Sequence, residues 1–103
     1  MNPAYVTPWS DPATPTQTML WRLMVEEGLN PYAWSNGPNF RQAARSHGYH
    51  KVLYCVEGTL EVVLPDMKQS ILLRPGDRVD LPRGVRHESI TGPRGAQCLE
   101  SVK

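Results

Sequence analysis

The chain has three histidines, His47, His50 and His87, and an imidazole can ligate a metal or carry a proton. His87 has the most definite setting. It closes the run Gly76, five residues, Pro82, one residue, Gly84, two residues, His87. Gly76 suits a turn after Arg74-Pro75, Pro82 stiffens a strand end, and Gly84 lets the backbone fold back sharply. His87 then opens the next strand. Upstream, Arg41, Arg45 and His47 share parity, which places them on one face of an extended segment. Lys51 continues that parity.

Two chemistries suit this set. Imidazole nitrogen favours a divalent transition metal such as iron, nickel, copper or zinc, so histidines brought together could hold one. His50 becomes a third ligand if a turn at Gly48-Tyr49 breaks the strand alternation. Alternatively, Arg41, Arg45, His47, Lys51 and His87 gather around a small anion, since a concave cluster of cations focuses positive potential. Arginine adds two-pronged hydrogen bonding to carboxylate or phosphate. Acid–base work at His47 or His87 needs no metal. No residue is singled out as catalytic.

The elements that must position these groups read mostly as strands. Ten prolines and eight glycines punctuate the chain, as short strands joined by turns require. Residues 1–13 form an irregular, Pro-rich arm, and Tyr5, Val6 and Trp9 make it a strap across the body rather than a solvated tail. One short helix is predicted over about 15–27: Thr14 caps it, Pro15 takes the first position, Gln17 completes a capping box and Gly28 ends it. Met19, Leu20, Leu23 and Met24 recur at helical spacing. From about 32 to 103 about eight short strands follow, with Glu57-Gly58-Thr59 as a tight turn between two of them. The fold class is all-β, and 14–103 is one domain.

With 103 residues the chain supports one core. The net charge of +1 gives no reason to expect nucleic acid or an anionic membrane as a partner. The first residues lack a basic start and an apolar stretch, and no apolar run is long enough to span a bilayer, so a cytoplasmic protein is expected. Cys55 and Cys98 read as buried free thiols in strands. Trp21 and Trp34 read as core or dimer-contact aromatics.

The run from Gly76 to His87 resembles the second motif of the cupin family and matches each fixed position up to the histidine; the trailing Asn of that motif falls at Thr91. The family's first motif reads His, one residue, His, three or four residues, Glu, six residues, Gly. Counted back from Gly58, its Glu falls at Lys51, its second His at His47 and its first His at Arg45. The resemblance covers 45–91 in motifs and extends in strand pattern from about 32 to the C-terminus. It implies a cupin-type jelly-roll barrel with His47 and His87 at its mouth. Family members hold their metal with the two His, the Glu and the later His, whereas here Arg45 and Lys51 replace two of the four, and arginine cannot ligate. The implied function is a small-molecule-binding module with a degenerate metal site and an anionic ligand. The alternatives are a metal-dependent enzyme of dioxygenase or isomerase type using His47 and His87, or a dimeric structural or interaction protein. The resemblance also implies a homodimer, because cupins commonly pair or exchange edge strands.

Overall fold

The computed structural model describes residues 4–103. Its elements are β1 (Tyr5–Thr7), α1 (Gln17–Glu26), β2 (Tyr32–Asn36), β3 (Arg41–Arg45), β4 (Lys51–Leu64), a 3-10 turn (Pro65–Met67), β5 (Gln69–Leu73), β6 (Arg78–Leu81) and β7 (His87–Val102). All strand pairs are antiparallel. This is a jelly-roll arrangement with one short helix.

The two long strands explain the architecture. β4 and β7 pair along their whole length, and each bends so that it serves two sheets. The first half of β4 lies between β6 and the second half of β7, with β1 beyond β6 and β2 beyond β7. The second half of β4 pairs with β5, and the first half of β7 pairs with β3. From residue 32 on, six strands, β2 to β7, therefore do the work expected of about eight, and Glu57-Gly58-Thr59 is a bend inside β4 rather than a turn between strands.

Bulges make the bend possible. Register shifts between Cys55 and Glu57, so one extra residue swaps the inward parity of β4. Leu53 and Cys55 face the interior before the bend, and Leu60, Val62 and Leu64 face it afterwards. At the crossing, Gly58 (φ 74°) backs onto Gly95, and a Cβ on Gly58 would lie 2.1 Å from the Gly95 carbonyl oxygen. Only glycine satisfies both the backbone angle and that approach.

The other face of β4, Val52, Tyr54 and Val56, meets Leu20, Met24 and Leu99 in a second apolar cluster under α1. Leu20 and Met24 are four residues apart, and both are fully buried. The helix starts later than expected. Thr16, not Thr14, is the N-cap and accepts from the Met19 amide, while the Gln17 side chain accepts from Gln97. The arm contains β1, which pairs with β6, and Trp9 covers Gly76 while its backbone N–H donates to Asp77. That strand corrects the reading of residues 1–13 as wholly irregular; residues 1–3 of that arm lie outside the described residues.

Cys55 and Cys98 are free, buried and directly opposed across β4 and β7. Among the described residues no helix is long and apolar enough to cross a membrane.

Candidate functional site

His47 and His87 meet across the barrel mouth, their ring centroids 5.3 Å apart. Gly84 holds the two segments together: with φ at 82° it turns the chain so that its N–H donates to the His47 carbonyl at 2.9 Å. His87 begins β7, and Val85 supplies a carbonyl 3.1 Å from its Nδ1. A carbonyl only accepts, so Nδ1 carries the proton of the neutral ring and Nε2 keeps a lone pair. The His47 ring stacks on Tyr49, and its buried Nε2 has no hydrogen-bond partner. Burial, then the neighbouring Lys51 and Arg45, hold His47 below the usual imidazole pKa. Burial does the same to His87, partly offset by the Val85 carbonyl and reinforced by Lys51 and His47.

Beside them lies a carboxylate. Glu100 on β7 is buried and shares inward parity with Cys98. Its Oε2 receives Lys51 Nζ at 3.2 Å and the Tyr32 hydroxyl, and its Oε1 receives Trp34 Nε1 at 3.0 Å. Burial and this carboxylate push the Tyr32 phenol above its ordinary range. The Lys51–Glu100 pair is internally neutral, which removes much of the penalty of burying either charge.

Arg45 pairs with His87 in the β3–β7 ladder and lines the cavity at the mouth. Among the described residues no carboxylate forms an ion pair with it. The cavity is small, about 20 Å³, enough for one water. It continues outward into a cleft of about 270 Å³ that shares Trp34, Gln42, Arg45 and Glu100 and adds Tyr32. A larger hollow of about 710 Å³ sits at the bend of β4 and β7, lined by Glu57, Arg94 and small or neutral residues. It contains no imidazole or thiol.

No protein-family model and no curated protein sequence matches the chain. Solved structures do. The polyketide cyclase RemF from Streptomyces resistomycificus superposes with a TM-score of 0.66 at 27% identity over 72% of this chain and 53% of that one. The chain thus spans about half of that relative. An RmlC-like cupin from Shewanella frigidimarina gives 0.63 at 22% identity, over 72% and 64%. A DUF861 family protein from Thermotoga maritima gives 0.63 at 18% identity over 98% of this chain and 100% of that one. The chain folds as a small cupin domain.

Within this cupin fold the expected site residues divide. His47, His87, Arg45 and Lys51 come together. Arg41 does not: β3 shifts register between Gln42 and Arg45, so Arg41 points outward and pairs with Glu88 at 3.5 Å. His50 does not either. It lies on the outer side, 2.7 Å from the buried Asp80, and cannot serve as a third ligand with His47 and His87. Asp80 is pushed up by burial, but its bonds to Arg78 and His50 prevail and hold it below the usual carboxylate range.

The donor set of the mouth does not fit a divalent metal. Two imidazoles are present, Glu100 has both oxygens engaged, and Arg45 and Lys51 bring positive charge. A unit charge about 4 Å from another interacts by roughly 4 kcal/mol at an effective dielectric near 20, and a dication doubles that. Among the described residues no three His, Cys, Asp or Glu side chains gather as a metal site.

Glu100, Tyr32, Trp34 and Gln42 were not expected at the site. Glu100 had a signal, since it alternates with Cys98 and Ala96 in the last strand. Trp34 packs on the core as expected, but it also walls the cleft.

Proposed function

We propose that this cupin binds a small anionic molecule at its mouth without a metal. The carrying observation is Arg45, a cation with no ion-pair partner among the described residues, standing over a cavity whose other cation, Lys51, is neutralised by Glu100. One uncompensated positive charge beside two neutral imidazoles selects an anion, and the unpartnered His47 Nε2 leaves a polar position for a ligand group to fill. The test is thermal unfolding with acetate and with inorganic phosphate. Either anion should raise the Tm of the wild type and not that of Arg45→Ala. An equal response in the variant, or none in the wild type, would overturn the reading. Stoichiometric iron, nickel, copper or zinc in protein purified without affinity metal would overturn its metal-free part.

A second reading is an acid–base catalyst working without a metal. The adjacent imidazoles, both held below the usual pKa, favour it, as does the likeness to a polyketide cyclase at 27% identity. Exchange of the methyl protons of pyruvate for deuterium, lost in His87→Ala, would support it over binding alone.

The same reading includes a homodimer. The half-exposed Leu23 and Val25 of α1 and the open edge of β2 are surfaces that a second copy would cover. Light scattering at a mass near twice the 11.6 kDa chain is the expected result, and a monomer across concentrations would refute it.

A further inference from the structure

We infer that the anion taken at this mouth is a compact aryl carboxylate, a planar ring carrying its charge at one end. This rests on the anion-binding reading and adds the ligand's chemical class. The cleft is too small for a large ligand, at about 270 Å³ against the several hundred of typical small-molecule pockets. What its walls offer is set by hydrogen bonds already made. Tyr32 and Trp34 both donate their polar hydrogens to Glu100, and Lys51 donates to the same carboxylate. The two rings therefore have no donor left for a ligand, and Lys51 is held at Glu100.

Tyr32 and Trp34 are pinned by their heads and present ring faces. Tyr32 remains about half exposed, at 51%, although its hydroxyl is bound inside. Rigid aromatic walls favour a stacked or edge-on ring over an aliphatic chain. Two further groups lining the same cleft are free to donate. Arg45 has its guanidinium. Gln42 accepts from Ser89 through its Oε1 at 2.9 Å, which leaves its amide NH₂ unused. A guanidinium beside an amide donor matches the two oxygens of one carboxylate. One cleft thus offers aromatic rings together with a pair of donors, the two features that an aryl acid pairs with.

The probes are benzoate, cyclohexanecarboxylate and acetate, titrated calorimetrically into the full chain. Benzoate should bind about three- to tenfold tighter than cyclohexanecarboxylate, the range that aromatic pairing supplies beyond area. Tyr32→Leu should bring that ratio to about one, and Tyr32→Phe, which keeps the ring, should retain it. Circular dichroism of both variants confirms that they fold. Equal binding of benzoate and cyclohexanecarboxylate, or a preference that survives Tyr32→Leu, overturns the aryl assignment while leaving the anion reading intact. Failure of all three acids to bind overturns both.

Discussion

Lys51 stands where the cupin motif has a carboxylate, and Glu100 on the neighbouring strand answers its charge. Each depends on the other. Lys51→Met should cost about 3–5 kcal/mol by leaving a buried carboxylate without its counter-charge. Pairing it with Glu100→Gln should recover much of that loss in denaturant unfolding, and additive losses would refute the coupling. The histidines make a pH prediction. Both are held below the ordinary imidazole value, mainly by burial. The unfolded chain therefore binds more protons than the native one below about pH 6.5. Stability should rise with pH through that window and fall on acidification from about pH 7 toward 5. His87→Gln should flatten the slope of Tm against pH. A further loss belongs to lower pH: Arg78 holds Glu27 at about 2, so its contribution is present above its ordinary 4.5 and lost on descent toward 2. At this scale His87 was legible, because the punctuation before it prescribes its aim. Arg41 was not, because a bulge within β3 reverses the face that parity assigns. Glu100 is legible only once the last strand's inward parity is fixed by its cysteine.

Among the elements, two glycines with nearly the same backbone angle separate conformation from space. Gly84 has φ 82° and nothing within 4 Å of a built Cβ, whereas Gly58 has φ 74° and would strike the Gly95 carbonyl. Gly84→Ala should cost about 1 kcal/mol, and Gly58→Ala at least about twice that, since strain is joined by collision. Similar losses for both would show that the bend can relax. The helix was visible from its apolar spacing, but it starts at Thr16, which accepts from the Met19 amide, and not at Thr14; the bond that Gln17 accepts from Gln97 on β7 has no local signature. The merging of four predicted strands into β4 and β7 was hidden for a similar reason. A glycine with a small neighbour reads as a turn, and whether the chain reverses or only bends there is decided by the strand lying alongside.

For the whole molecule, the apolar alternation and the frequent turns were enough to give the barrel, and the motif spacing was enough to place its mouth. The buried thiols give a check on the closed state. Cys55 and Cys98, both with no exposed surface, should resist iodoacetamide in the native protein and both react after denaturation. Rapid native alkylation of either would mean that the interior opens readily.

Because β4 and β7 each run through both sheets, neither sheet has a boundary at which it could come away by itself. A sandwich of separate leaves can fray leaf by leaf; here the same two backbones stitch the leaves together. Amide exchange should report this as one cooperative opening, with Leu53 and Val62 protected to a common free energy although they lie in different sheets. Two well-separated protection levels would mean that the bend acts as a hinge instead.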